Sequence, residues 1–529
     1  MLSVDQCQRA AGAHDPRFDG VFFIGVSSTG IYCRPICPAK VSIASHRQFF
    51  VSAAAAERAG YRPCLRCRPE LAPGRAPVDA VSRLAYAAAL RIAAGALNGR
   101  SVADLARELQ VSERHLRRAL EREVGVSPIE LAQTHRLLLA KRLLADTALP
   151  VIDVAFASGF QSLRRFNTAF RQHYRLTPSA LRRSGQAPQR TDARPPMGER
   201  LSDTLRTLVP DDVLRLTLSY RAPLAWTELL AFLGREALPG VETIDGGRYG
   251  RTVHLDGRAG AIFAGVGAGA RTASPHLDVE ISLALLPVLM PLLARLRQLF
   301  DLDAEPAVID AQLTQGGLGD LVAARPGLRS PGAIDAFEIV LGALLRGPGR
   351  RPERAGGLAA RVVRALGEPI VTGHPGLDRL TPSAQTIVEV GADRLTALGV
   401  PPGRARALAA AARAFTEGRL ALSPGCDVAA AHGVLRSIAG IGERLATDIV
   451  RRTLYWPDAF AAEDAELQGV AGVRGAGALR ALAESWRPWR AYAAQHLELH
   501  SRDAAKPWSA SAVGSTSRAR ARGTLLRAG

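Results

Sequence analysis

Lysine is almost missing from this chain. Of its 68 basic side chains only Lys40, Lys141 and Lys506 are lysines. A GC-rich coding sequence would account for that bias without any function. Even so, the empty stretch from Lys141 to Lys506 leaves no amine there for Schiff-base chemistry. Cysteine is scarce as well, and Cys426 is the only one beyond Cys67. An iron–sulfur cluster, which needs several thiolates, is therefore excluded from the second half. Long apolar runs are lacking: the longest, Ile281 to Ala294, has 14 residues and contains Pro287 and Pro291. A membrane-spanning helix needs roughly 20. The start, MLSVDQCQRA, has no charged-then-apolar signal pattern. These absences point to a soluble cytoplasmic protein without a membrane partner.

Basic charge and apolar residues are plentiful. The 529 residues carry a formal net charge of +19, and 47% are hydrophobic. That is enough for several cores, and it excludes a wholly disordered chain. The length fits about three to five domains. The charge is uneven. Through Gly185 there are 27 Lys and Arg against 14 Asp and Glu, so +13 lies in the first third. An anionic partner is implied, and nucleic acid is the commonest. Two stretches rich in Pro and Gly, Ala72 to Pro77 and Gly185 to Arg200, read as linkers. The implied modules are a Cys-rich one (1–76), a helical one (77–184), a linker (185–201), a small α/β one (202–282), a larger helical one (283–500) and a disordered tail (501–529). In the α/β module, Leu214 to Arg221, Arg248 to Leu255 and Ala261 to Val266 read as strands, and Trp226 to Ala237 as a helix. From Ile281 helical periods return. The fold class is multidomain, mainly α with α+β parts.

Four cysteines form C-x3-C (Cys33, Cys37) followed by C-x2-C (Cys64, Cys67). Each pair supplies two thiolates from one tight bend, which suits a tetrahedral zinc ion. A purely structural zinc knot fits the same spacing. Cys7 and Cys426 stand alone. The flanking residues, Asp19-Gly-Val-Phe-Phe-Ile-Gly-Val26, Thr29-Gly-Ile-Tyr-Cys-Arg-Pro-Ile-Cys37 and Ala59-Gly-Tyr-Arg-Pro-Cys-Leu-Arg-Cys67, resemble the N-terminal domain of Ada-type methyl-response regulators. The resemblance implies one zinc on Cys33, Cys37, Cys64 and Cys67. It also implies that Cys33 takes a methyl group from a DNA phosphotriester, once and irreversibly. Zinc keeps such a thiol deprotonated and nucleophilic. Four thiolates on Zn²⁺ leave a charge of −2, and methylating one leaves −1, so repulsion from DNA falls.

Ser101 to Leu120 has the layout of a helix, a turn near Gln110-Val111 and a second helix, with Ser101 and Ser112 as N-caps. Leu116 and Leu120 would face the core, and Glu113, Arg114, Arg117 and Arg118 would face outward. A second copy runs from Val151 to Tyr174, with Phe166 and Phe170 inward and Arg164, Arg165, Thr168 and Arg171 outward. A helical bundle with solvated Arg faces would look the same. The phrase Asp153-Val-Ala…Gly159-Phe-Gln-Ser…Phe166…Phe170…Thr177-Pro-Ser resembles the AraC-type DNA-binding domain. That resemblance implies a double helix-turn-helix reading the major groove of double-stranded DNA. Two motifs in one chain fit a monomer, and a regulator of this type implies RNA polymerase as a further partner.

In the second half, Leu435-Arg-Ser-Ile-Ala-Gly-Ile-Gly442 carries the Gly-x-Gly of a helix-hairpin-helix. Gly440 and Gly442 would admit a phosphate to the backbone. Asp464 follows Gly442 by 22 residues, and Trp486-Arg-Pro-Trp-Arg-Ala-Tyr492 comes later. With Ala336-Phe-Glu-Ile-Val-Leu-Gly-Ala343, this resembles the inducible 3-methyladenine DNA glycosylases of the helix-hairpin-helix superfamily. The sheet module resembles that family's N-terminal TBP-like domain. The resemblance implies monofunctional excision of alkylated purines, with Asp464 stabilising positive charge on the sugar or activating water. Asp464 as a plain N-cap is the competing reading, and Glu463 is its neighbouring alternative. Leu344 stands where the family places a DNA-wedging side chain, beside an altered loop at 342–352. Arg444, Asp448 and Glu498 replace aromatics of the base pocket. A degenerate glycosylase that only grips DNA fits the same departures. No Pro-Cys-His-Arg-type segment is present, so no alkylguanine methyltransferase domain is expected.

Overall fold

The computed structural model describes residues 2–39, 44–74, 83–184, 213–267, 275–346 and 352–503. The linker expected at 185–201, the tail from 504 on and most of the altered loop after Arg346 lie outside the described residues. Residues 501–503, placed in the expected tail, belong to a helix from Arg490 to Asp503.

The first module is built on a four-stranded sheet in the order β3-β1-β2-β4. Its strands are β1 (Phe23–Val26), β2 (Ile31–Cys33), β3 (Arg47–Phe50) and β4 (Arg62–Pro63). β2 and β4 run parallel, with Tyr32 opposite Pro63. Cys33 ends β2 and Cys64 follows β4, so this register sets the two cysteine pairs side by side. Tyr32 is fully buried, stacks edge-on against Phe23 and donates to Glu57, which anchors the sheet's inner face.

The helical module follows its caps. Ser101 and Asp104 form a capping box at the helix Val102–Glu108, and Ser112 accepts from the His115 amide at the helix Glu113–Glu123. Leu116 and Leu120 are fully buried. The helix Pro128–Asp146 leads to the second pair, Val151–Ala157 and Leu163–Tyr174, where Phe166 and Phe170 are fully buried.

The α/β module is a five-stranded antiparallel sheet in the order β5-β9-β8-β7-β6. Its strands are β5 (Val213–Ser219), β6 (Glu242–Asp245), β7 (Arg248–Leu255), β8 (Arg258–Val266) and β9 (His276–Ser282). The helix Trp226–Glu236 buries Leu229, Leu230 and Leu233 against it. Ile281 is a strand residue rather than the start of a helix, since it pairs with Leu214 and Ile262. Regular α-helix resumes at Leu289.

One apolar core crosses the boundary between the halves. It joins Leu137, Leu143, Phe166 and Phe170 of the helical module to Leu214, Leu216, Ile262 and Leu289 of the sheet module and its following helix. A second core holds the hairpin helices against Ala336–Arg346. No described helix is long and apolar enough to cross a membrane.

Candidate functional sites

The sulfurs of Cys33, Cys37, Cys64 and Cys67 all lie within 4.8 Å of one another. A tetrahedral ion about 2.3 Å from each sulfur needs sulfur–sulfur separations of about 3.8 Å, so the cluster fits one zinc. Cys37, Cys64 and Cys67 are buried, while Cys33 is partly open. Cys33 is thus the most exposed residue of the four. The Arg34 amide donates to the Cys67 sulfur at 3.4 Å, and its guanidinium donates to the Cys67 carbonyl at 3.1 Å. The same guanidinium pairs with Asp19, its Nε lying 2.7 Å from Oδ1. Both side chains are almost fully buried.

Lys141 is the second element of this support. It reaches from the helix Pro128–Asp146 to the Cys64 carbonyl at 3.3 Å and to Glu70 at 2.6 Å, with both side chains buried. Motif reading missed Lys141, Glu70 and the Asp19–Arg34 pair. The one signal for Lys141 was its rarity, a lysine kept in a chain that otherwise uses arginine.

The expected groove-facing residues divide by exposure. Arg114, Arg118, Arg164, Arg165 and Thr168 are exposed. Arg117 is half-buried and bonded to Glu113 one turn earlier at 3.1 Å. The face opposite Leu116, Leu120, Phe166 and Phe170 is therefore a cationic surface on two recognition-type helices.

The hairpin in the second half joins the helices Val428–Ser437 and Glu443–Leu454. Gly440 has φ +97°, which a side chain would strain. Gly442 is the N-cap of the second helix and offers no side chain to its first-turn amides, which leaves them open to a phosphate. Both glycines are exposed.

Asp464 sits at the N-cap of the helix Ala465–Val470 and accepts from the Glu466 amide at 2.9 Å. The N-cap reading thus describes the same carboxylate that the resemblance singles out. Its side chain is only 4% exposed, and Arg444 grips it with two limbs, Nε to Oδ2 at 2.9 Å and Nη1 to Oδ1 at 3.2 Å. Glu463 instead points to Arg480 at the surface. Arg444, Asp448 and Arg451 follow one another along one face of the helix Glu443–Leu454. Asp448 is ion-paired with Arg451. Burial works to raise the Asp448 carboxyl, but Arg451 and Arg452 hold it below the usual carboxylate range. Burial pushes the Glu498 carboxyl above that range, against the pull of Arg451.

Leu344 does not serve as a wedge. It lies inside the helix Ala336–Arg346, is 2% exposed and belongs to the core under the hairpin. A side chain packed there cannot enter DNA. Residues 342–346, the first part of the expected altered loop, are helical.

Comparison with known proteins matches three parts of the chain. Residues 6–70 match the metal binding domain of Ada, residues 105–184 a helix-turn-helix domain and residues 215–335 the AlkA N-terminal domain. A probable bifunctional transcriptional activator/DNA repair enzyme AlkA of Mycobacterium tuberculosis is 35% identical over 498 residues, covering 93% of this chain and 95% of that protein. DNA-3-methyladenine glycosylase 2 of Escherichia coli is 34% identical over 282 residues, 53% of this chain and 95% of that one. The bifunctional transcriptional activator/DNA repair enzyme AdaA of Bacillus subtilis is 29% identical over 183 residues, 34% of this chain and 83% of its own. With a four-thiolate centre, paired helix-turn-helix units and a glycine hairpin, and a relative that matches along nearly its whole length, the chain belongs to the family of bifunctional transcriptional activator/DNA repair enzymes of the AlkA type.

Proposed function

We propose that this protein senses methylated DNA through Cys33, binds a promoter through its paired helix-turn-helix units, and excises alkylated purines of the 3-methyladenine type with Asp464. The observation that supports the sensor reading is the clustering of the four cysteines, of which Cys33 alone is partly exposed as a residue. Zinc on Cys33, Cys37, Cys64 and Cys67 keeps the acceptor sulfur deprotonated. The Cys33 sulfur bonds the methyl carbon of a phosphotriester, the carbon–oxygen bond breaks, and the phosphate oxygen keeps the electron pair. Arg34 holds Cys67 through two donors while the cluster loses one negative charge. The Arg114, Arg118, Arg164 and Arg165 surface then meets less repulsion from its own domain as it approaches DNA. Two recognition helices in one chain suit action as a monomer that recruits RNA polymerase at the nucleoid.

Base excision rests on Asp464. Hairpin amides after Gly442 would hold a phosphate, and the buried carboxylate would face the sugar of a flipped nucleotide. Two experiments test the reading. After incubation with methylated DNA, the wild type should gain about 14 Da, one methylene, on Cys33. Cys33→Ala should gain nothing. A duplex carrying 3-methyladenine should release free base, and Asp464→Asn should stop the release. A second reading, a glycosylase fold that only grips DNA, is favoured by one observation: Arg444 already occupies both oxygens of Asp464. No release of any alkylated purine by the wild type would establish that second reading.

A further inference from the structure

One short helix of the cysteine module touches both helix-turn-helix units. The helix Ala53–Arg58 is capped by Ser52, whose hydroxyl accepts from the Ala55 amide at 3.0 Å. The same hydroxyl donates to the Val124 carbonyl at 2.9 Å. Val124 is the C-cap of the first recognition helix, Glu113–Glu123. Glu57, in the last turn of the short helix, meets the second unit. Its Oε2 accepts from the Thr134 hydroxyl, on the helix Pro128–Asp146, at 2.5 Å. The Nε2 of His173, in the last turn of the second recognition helix Leu163–Tyr174, lies 3.2 Å from its Oε1.

The third partner of Glu57 comes from the acceptor strand. Tyr32 adjoins Cys33 on β2, and its hydroxyl donates to Oε1 at 2.9 Å. The Glu57 side chain is 4% exposed, and Tyr32 and Thr134 are buried. A buried carboxylate is costly to leave without its donors, so these elements are held in one arrangement. Such a hold matters when the signal is a single charge. Through salt solution a charge acts over only about 8 Å. A sensor swinging on a linker would spend little time that close to DNA held by the recognition helices. A docked sensor presents its change of charge at one fixed place.

We infer that Glu57 is a positioning residue for methyl-dependent promoter binding: it docks the sensor on both recognition helices, so that methylation of Cys33 is felt at the groove. This rests on the sensor reading of Cys33 above. The partners of Glu57 include no zinc ligand and none of the exposed arginines of the recognition helices, so it acts through the elements it joins. The sign follows from the charge. Before methylation a docked, negative cluster repels the duplex, and after methylation it repels it less. Undocking removes that difference.

The test uses the full zinc-loaded chain and one duplex, selected from random sequence by the methylated wild type. Affinity is measured before and after Cys33 is methylated on methylphosphotriester DNA, and the ratio is the methylation gain. Couplings between sites typically amount to about 5- to 150-fold. Glu57→Gln keeps the size but offers one oxygen and one amide nitrogen, so it cannot accept on both sides. It should lower the gain by about fivefold or more. The unmethylated variant should bind no more weakly than the wild type, because the fixed negative cluster no longer faces the DNA. Thr134→Val removes a donor from the other module and should lower the gain too, and the double variant should fall no further than Glu57→Gln alone. Full zinc content and normal methyl uptake by mass establish that the sensor is folded. Should Glu57→Gln not hold zinc, Thr134→Val carries the test from the opposite side of the contact. Affinities that fall equally before and after methylation would mean that Glu57 only stabilises the fold, and they overturn the inference. An undiminished gain overturns it as well, and so does a wild type that takes up methyl with no gain. A wild type that takes up no methyl sinks the sensor reading itself, which is a different failure.

Discussion

His496 carries a cost that pH reveals. It lies on the helix Arg490–Asp503, two residues before Glu498, and is 1% exposed. Its Nδ1 has no hydrogen-bond partner among the described residues. Burial pushes the imidazole down to about 4. The unfolded chain holds a proton on this group below about 6.5, so between those values the unfolded state binds more protons than the folded one. Stability is therefore full above the unfolded value and is lost as pH falls through the folded one. By pH 5 the loss reaches about 2 kcal/mol. Denaturant melts at pH 7.5 and pH 5 should show that drop in the wild type, and His496→Leu should shrink it. An equal pH dependence in the variant would contradict the assignment.

Elements show where a local signal suffices and where it does not. Leu344 illustrates the limit. Its position after Leu-Gly suggested a wedge, but the helix Ala336–Arg346 runs past it and buries it. Leu344→Ala should therefore cost about 2–5 kcal/mol of stability, as buried leucines do, measured by denaturation. A stable variant defective only in DNA distortion would restore the wedge. Helices with a capping signal were legible: Ser101 and Ser112 cap where the sequence put them, and the four inward residues of the two recognition helices are fully buried. Their exposed arginines yield a prediction at the same scale. Arg118→Ala and Arg165→Ala should each weaken promoter binding and reduce its salt slope by about 1 if each meets a phosphate. Gly440 was legible because only a glycine accepts its backbone angle without strain. The strands of the first sheet were not, since β1 to β4 span two to four residues and cannot show an alternation. The buried pairs Asp19–Arg34 and Lys141–Glu70 were invisible for another reason. Each joins residues far apart in sequence, and only the fold brings them together.

On the scale of the molecule, the sensor and the repair half are built as one body. Domains within a chain move freely by default, unless their interface is large and apolar. Here the core itself runs from Phe166 and Phe170 to Leu214 and Ile262. Polar contacts reinforce it. Arg221, which follows β5, donates to the Asp19 carbonyl at 2.9 Å and to the Asp303 carbonyl at 3.1 Å. The Gly74 amide donates to the Asp303 carboxylate at 2.9 Å. Arg91 reaches the Pro424 carbonyl at 3.1 Å, which ties the helical module to the hairpin domain. Asp19 in turn holds Arg34, and Arg34 holds Cys67, so Arg221 supports the thiolate centre from the other half. Two consequences follow from that chain of contacts. Calorimetry of the zinc-loaded protein should give one cooperative transition rather than one for each half. Arg221→Met should lower the unfolding free energy by roughly 2–4 kcal/mol, because two buried carbonyls lose their donor. It should also speed zinc release to a chelator, although Arg221 touches no ligand. Unaltered zinc release with a normal midpoint would mean that the halves are merely tethered.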